Sequence, residues 1–589
     1  VYFNNAVDIQ NIFTRVTGKS FSDIDGLIKA NGTANLFLIN PNGILFGENA
    51  RLDIGGSFVG STADSLIFPN NVEFSAVNPD SKPLLSVNVP LGLQYGTNPG
   101  NISVKGDGEG IRKSSEIVDT QNGLRVKADE TLGLIGGDIN LEGATLKTAG
   151  GRIELGSVKG DLVNINPTEK GFSFGYDAVK NGGDINLSQQ AAVDASGEGA
   201  GDIQVWGKNI KLRDGSSIQT STLGSENGGN LVVNAQDSVE VIGISNTQFP
   251  SGLGASVYRE ATGNGANLII NTQIFLVRDA GIVSTASLGK GNNGKLKIET
   301  SKLLVENGGL IFSISSIFSN IDINADSVTL NRGSILATTL SDNGNSGNIN
   351  LDIADLLLMR NTSRISSTAA IQNATGNDGN ININIPNGFI VATPNQNNDI
   401  TANRLQGKGG RIKIDAAGIF GIKPLSRKEL ERLRSDGLDP SQLQTNDITA
   451  ISRQSPDLSG SVEIITPEIS PENALTQLPT EPIDTKITNT CSTSGYAQSS
   501  FTITGKGSLP PSPSEPLTGR VNQTKLATLD LDEVKESKVK PRRIKKKSKR
   551  KQIVEAQGWV KNKNGEIFLV ANPPQNSNIQ AMKNPNYCS

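Results

Sequence analysis

Histidine is absent from this chain of 589 residues, and cysteine, methionine and tryptophan occur only twice each. Without histidine there is no Ser-His-Asp or Cys-His nucleophile and no HExxH zinc site. Cys491 and Cys588 are too few for a zinc site or a disulfide framework. In an oxidising compartment they can pair only with each other, and two unpaired thiols are the alternative. Aromatic residues are 4% of the chain, which suits thin cores. No apolar run reaches about 18 residues, so no membrane-crossing helix is expected. The net charge of −3 gives no global preference for nucleic acid or anionic membrane. No cofactor, metal or nucleic-acid partner is expected.

Glycine is abundant, with 65 residues. Near the start, Leu36 to Ile39 make a short, almost wholly apolar strand, and Asn40-Pro41-Asn42-Gly43 turns the chain with a fixed φ at proline and a tolerance of positive φ at glycine. Ile44 to Phe46 begin a second strand, and Leu52, Ile54, Phe58 and Val59 follow with glycines between them. The stretch NPNGILFG, followed by LDIGGSFVGSTADSL, resembles the signature of the filamentous-haemagglutinin N-terminal domain, or haemagglutination activity domain, of secreted bacterial exoproteins. The wording VYFNN, DIQNIFTRVTG and GWVKNKNGEIFLVANPP is closest to the cyanobacterial type.

The resemblance implies export by two-partner secretion through a dedicated outer-membrane β-barrel transporter, and a secreted, extracellular or cell-surface location. It marks Asn40, Pro41, Asn42, Gly43 and Ile44 as the secretion motif, either recognised directly or setting the fold that is recognised. A member of the family begins with a signal peptide and further coils, so the start of the domain is expected to lie upstream of Val1.

A glycine-polar-apolar-polar-apolar unit then recurs as GGDINL from Gly136, GGRIEL from Gly150, GGDINL from Gly182, GDIQV from Gly201 and GGNLVV from Gly228. It continues as GANLII from Gly265, GKLKI from Gly294, GNINL from Gly347, GNINI from Gly379 and GGRIKI from Gly409. Alternating strands such as NIKLRDGSSIQTS and SVTLNRGSILATT lie between them. Each unit has an apolar edge it cannot bury alone, which is the condition for a parallel β-helix. A β-propeller needs a regular period and aromatic blade markers, and neither is evident. From Pro99 to Pro424, at about 20 residues per coil by analogy with the family, on the order of 16 coils and a rod of about 75 Å are expected. The family implies a right-handed coil.

The expected organisation is therefore all-β. Residues 1–98 are the remainder of the secretion domain and 99–484 a parallel β-helix with a short helix over 426–436, where Ser426 and Glu429 make a capping box and Gly437 a stop. A Pro-rich and basic linker over 485–552 and a small hairpin over 553–589, turning at Asn564-Gly565, complete the chain. Within the linker, Lys540, Arg542, Arg543, Lys545, Lys546, Lys547, Lys549, Arg550 and Lys551 form a dense cationic run. It reads either as a self-repelling spacer or as a patch for anionic polymer such as lipopolysaccharide, acidic exopolysaccharide or wall material. No aromatic residue interrupts it, which argues against a single-strand stacking platform.

Gly18-Lys19-Ser20 ends like a phosphate loop, but Phe13 stands where the loop needs glycine. Asp138 and Asp184 sit at GGD corners without the nine-residue period of calcium-binding β-rolls. The leading expectation is a non-enzymatic adhesin or surface-structural exoprotein, with surface polysaccharide or a host or neighbour cell surface as its target. A carbohydrate-active β-helix lyase or hydrolase is the first alternative, although no carboxylate pair can be assembled on one face. The stalk of a toxin-delivery protein is the second, although the linker and hairpin leave no room for an effector.

Overall fold

The computed structural model describes residues 1–79, 89–113, 120–315, 320–339, 347–367, 379–404, 407–434, 438–467, 558–561 and 567–570. It divides into two compact units, Val1–Glu481 and Pro482–Ser589. Cys491, Cys588, the cationic run from Lys540 to Lys551 and the expected turn at Asn564-Gly565 lie outside the described residues. In the second unit, Gly558–Lys561 and Ile567–Val570 pair antiparallel, Gly558 opposite Val570.

The first unit is a parallel β-helix, an all-β coil whose strands pair with their equivalents above and below. One parallel sheet has 19 strands and winds around two faces, and a second sheet of 12 strands makes most of the third face. The glycine-led motifs supply the large sheet. Ile153, Ile203, Leu231, Leu268, Leu296, Ile321, Ile349, Ile381 and Ile412 stand directly above one another in successive coils. All nine are buried. The second sheet stacks Leu146, Val193, Ile218, Leu253, Val283, Ile311 and Ile335 in the same way. Each such side chain withdraws from water against the ladders of the other faces, a gain of about 1.5–3 kcal/mol per large aliphatic residue.

A change of winding occurs at the strand Asp202–Leu212. Before it, the first and second faces are separate strands, Arg152–Ser157 and Asp184–Ser188, and both pair with the two halves of Asp202–Leu212. From there on, one strand of 10 to 13 residues serves both faces. The register shifts between Gly207 and Asn209, where the strand turns the corner.

The coils are accordingly longer than the expected 20 residues. Early partners such as Asn35 and Ser57 are 22 residues apart, whereas Asn267 and Lys295 are separated by 28, Asn350 and Asn382 by 32, and Asn230 and Asn267 by 37. Ten strands from Thr131–Gly136 to Arg411–Phe420 fill the first face. At the strand spacing that gives a rise of about 45 Å, shorter than the 75 Å expected. The glycine motif marks one corner of each coil, and the irregular interval behind it holds a full extra face as well as loops. Outside the coil, amide ladders such as Asn234 to Asn271 (2.7 Å) and Asn350 to Asn382 (2.8 Å) tie successive turns.

Two excursions leave the coil and meet. Ser65–Phe68, Val72–Ser75 and Gly92–Tyr95 come from the first, Asp161–Thr168 and Gly171–Gly175 from the second. They join as one five-stranded antiparallel sheet, with Gly92 opposite Asn164 and Tyr95 opposite Asp161. This sheet roofs the outer side of the first face and encloses a second apolar core of Phe37, Ile39, Val59, Ile135, Leu66, Phe68, Leu93, Phe172 and Phe174. The apolar run at Leu36 to Ile39 has its cause here. Leu36 and Leu38 point into the coil, Phe37 and Ile39 into the roof, and a strand covered on both faces loses its alternation.

Near the end, the chain leaves the coil again between Lys423–Pro424 and Asp447–Thr449, which pair with each other. The helix Arg427–Leu433 lies in this excursion, and Ser426 and Glu429 form a reciprocal capping box. Gly437 is outside the described residues. The last strand of the large sheet is Ser461–Ile465.

Candidate functional site

The Asn40 to Ile44 segment forms a corner between the strands Asn35–Ile39 and Ile44–Phe46. The Asn40 carbonyl accepts from the Gly43 amide at 3.1 Å, and the Asn40 side-chain oxygen accepts from the Asn42 amide at 3.0 Å. Asparagine thus closes the turn twice, once through its backbone and once through its side chain. Gly43 adopts φ +119°, which a side chain would oppose.

The corner is bonded to the coils on both sides. Below it, Asn40 Nδ2 donates to the Ser20 carbonyl (3.1 Å) and to Ser22 Oγ (2.9 Å), and Asn42 Nδ2 donates to the Gly18 carbonyl at 2.8 Å. Above it, the Gly100 amide donates to the Pro41 carbonyl (2.8 Å) and the Ile44 amide to the Asn101 carbonyl (3.0 Å). Asn40, Gly43 and Ile44 are buried, Pro41 is half-buried, and Asn42 is exposed. The five residues are thus brought together as one built corner, and Asn42 alone among them shows much of its side chain to solvent.

The stack continues upward through Asn101 and Asn209, which the sequence did not single out, and through the corner aspartates Asp138 and Asp184. Asn101 Oδ1 accepts from the Asp138 amide, and Asp138 Oδ1 from the Asp184 amide, both at 3.0 Å. Asp184 Oδ1 then accepts from Asn209 Nδ2 at 2.9 Å. The carboxylates at the GGD corners are occupied by the next coil. Asn98-Pro99-Gly100-Asn101 carries the same turn chemistry as the first corner, and this was the available signal for it.

Beneath the roof, Glu154 is fully buried and accepts from Arg152 Nε at 2.5 Å. Burial pushes its carboxyl up to about 7, with Arg152 opposing the shift. Tyr176 at the end of the second excursion stacks on Trp206 of the coil, with centroids 5.0 Å apart and planes 3° from parallel. On the third face, Lys147 and Asp194 make a fully buried ion pair at 2.7 Å, and Lys147 also donates to the Ser196 carbonyl at 2.8 Å. One coil separates Asp399 from Asp447, both buried, and the Asp447 amide donates to Asp399 Oδ1 at 3.2 Å. Among the described residues no group of three or more Cys, Asp or Glu is placed to hold a metal ion.

Residues 1–205 match the family model described as the TPS (two-partner secretion) secretion domain. The match takes in the corner, both excursions and the first residues of the strand Asp202–Leu212. No curated protein matches the chain.

Proposed function

Since its first 205 residues are a TPS secretion domain, the chain is an exoprotein of a two-partner secretion system, and from that premise we propose that it is an adhesin or surface-structural protein. Its partner in export is a cognate outer-membrane transporter. One observation carries the finer reading. The secretion domain does not end in a linker: its strand Arg152–Ser157 pairs directly with Asp202–Leu212, and the same ladder runs on to Ser461–Ile465. The domain therefore provides a finished edge on which later coils add by strand pairing, and the product is a long, laterally exposed surface.

The reading is non-enzymatic. The buried carboxylates are held by Arg152 (Glu154), by Lys147 (Asp194), by the Asp447 amide (Asp399) and by the Thr445 hydroxyl (Asp447), not set along an open cleft. The Asn40 to Ile44 corner acts in export chiefly by fixing the conformation of the coil. The test is co-expression with a two-partner transporter in a cell lacking its own. Surface-accessible chain that makes the cells adhere to surfaces or to one another is expected. Surface chain without any adhesion or cell-surface layer would remove the finer reading, and cleavage of an acidic polysaccharide by the purified chain would replace it with an enzyme.

A further inference from the structure

On the outer side of the third face, the strand Gly252–Val257 forms the floor of a groove of about 260 Å³. Gly252 lies between Ser217 and Ile282, and Gly254 between Gln219 and Ser284. These glycines differ from those that open the strands. A Cβ on Gly201 or Gly410 would come within 2.2 Å of a backbone oxygen in the neighbouring coil, so close packing forbids a side chain there. At Gly254 the nearest atom to a built Cβ is Ser284 Oγ at 3.6 Å, an ordinary contact, and φ is not in the left-handed region. Glycine inside a strand weakens it, and where neither turn nor backbone approach requires it, it leaves room for a ligand. Here it keeps open a channel on a face that the fold would allow to be filled.

The lining fixes the chemistry. None of the fourteen described residues that line it is charged. Ser217, Ser221, Ser256 and Ser284 offer hydroxyls, and Tyr258 ends the floor with an aromatic ring. Gln219 adds an amide to the lining, its nitrogen buried and without an acceptor among the described residues. Hydroxyls and an amide around a flat apolar floor suit a ligand with alternating hydroxyl edges and apolar ring faces. A carboxylated or sulfated chain would be desolvated there without a counter-charge.

We propose that this groove binds a neutral glycan, one without carboxylate or sulfate groups. The proposal deepens the adhesin reading and rests on it for its biological meaning, but the purified chain tests it without export. Cellohexaose, maltohexaose and laminarihexaose, with hexagalacturonate as the charged comparison, are titrated calorimetrically into the full chain. Saturable binding of at least one neutral hexasaccharide is expected. Gly254→Val, which fills the channel with a β-branched side chain, and Tyr258→Ala should each weaken it about tenfold or more, with the melting temperature of Gly254→Val unchanged. If Gly254→Val does not fold, Ser284→Leu fills the same channel from the next coil. The proposal is overturned if no neutral hexasaccharide binds, if hexagalacturonate binds as tightly, or if the folded filled variant binds like the parent. Failure of surface display with binding intact would count against the export reading alone.

Discussion

Gly100 lies against the Asn42–Gly43 peptide so closely that a Cβ built on it would stand 2.3 Å from both Asn42 C and Gly43 N. The neighbouring corner is backbone and cannot swing aside, unlike the end of a flexible side chain. Gly100→Ala is therefore expected to push the two corners apart and break the bonds from Gly100 and Ile44 that join them. The expected loss is about 2–4 kcal/mol, by analogy with overpacking plus two lost backbone hydrogen bonds. Urea unfolding of the purified chain checks it, and an unchanged midpoint would show that the corner yields.

Asn40 and Asn42 separate folding from recognition. Asn40 is fully buried and its side chain serves Ser20, Ser22 and Asn42, so Asn40→Ala leaves buried groups unpaired. A cost of about 1–3 kcal/mol is expected, with export falling in parallel. Asn42→Ala removes an exposed side chain with one long-range bond, to Gly18. Stability should change by no more than about 1 kcal/mol, with export close to the parent's. Refolding rate and surface yield, measured on both variants, decide the matter: normal folding with lost export in Asn42→Ala would mean that the transporter reads that side chain directly.

Stability should fall as pH rises from 5 to 8. Burial, reinforced by the charge of Asp447, holds the Asp399 carboxyl at about 7, far above the ordinary carboxylate value near 3.8. The folded chain then binds this proton more tightly than the unfolded chain. The resulting stabilisation is complete below about pH 4 and is lost as pH passes through about 7. Glu154, pushed up to about 7 by burial, acts in the same direction. Asp399→Asn keeps the shape without the titration, so its melting temperature should vary less between pH 5 and 8 and exceed the parent's at pH 8. A parent curve that is flat or rises over that range would refute the assignment.

Lys147 and Asp194 are bound to each other where no water reaches either. Among the described residues, Lys147→Met leaves the carboxylate with its bonds to Ser196, and about 3–5 kcal/mol should be lost. Lys147→Met combined with Asp194→Leu removes both charges and should recover most of that loss. The double-mutant cycle in urea reads the coupling. Equal losses for the single and double variants would mean that packing, not charge, governs the site.

Much of this architecture can be read from the residues, and what cannot has definite causes. The GG-polar-apolar-polar-apolar units mark the corner and the first inward side chains of each coil, because that pattern follows from one buried face beside a close backbone contact. Coil length is not legible in the same way, since the motif says where a coil begins and nothing about how many residues a strand uses to round two faces, as in Asp202–Leu212. The roof over the first face had a legible trace in the unbroken apolar run at Leu36 to Ile39. Its builders did not, since Gly92 and Asn164 are far apart in sequence and meet only because both excursions leave the same side of the coil. The partners of the Asn40 corner at Ser20, Ser22 and Gly100 are long-range for the same reason. Turn chemistry is local and could be read; the stacking that buries the turn is not.

The roof also imposes an order of events. Its central strand Gly92–Tyr95 pairs with Asp161–Thr168, and Phe172 and Phe174 complete the cover over Phe37 and Ile39. In a chain delivered from its N-terminus, Phe37 and Ile39 emerge long before their cover can close. For that interval the first coils present a greasy flank, available to whatever guides the chain and withdrawn once residue 175 arrives. The nascent module thus carries a contact surface with a built-in expiry, set by the distance along the chain between the two halves of its lid.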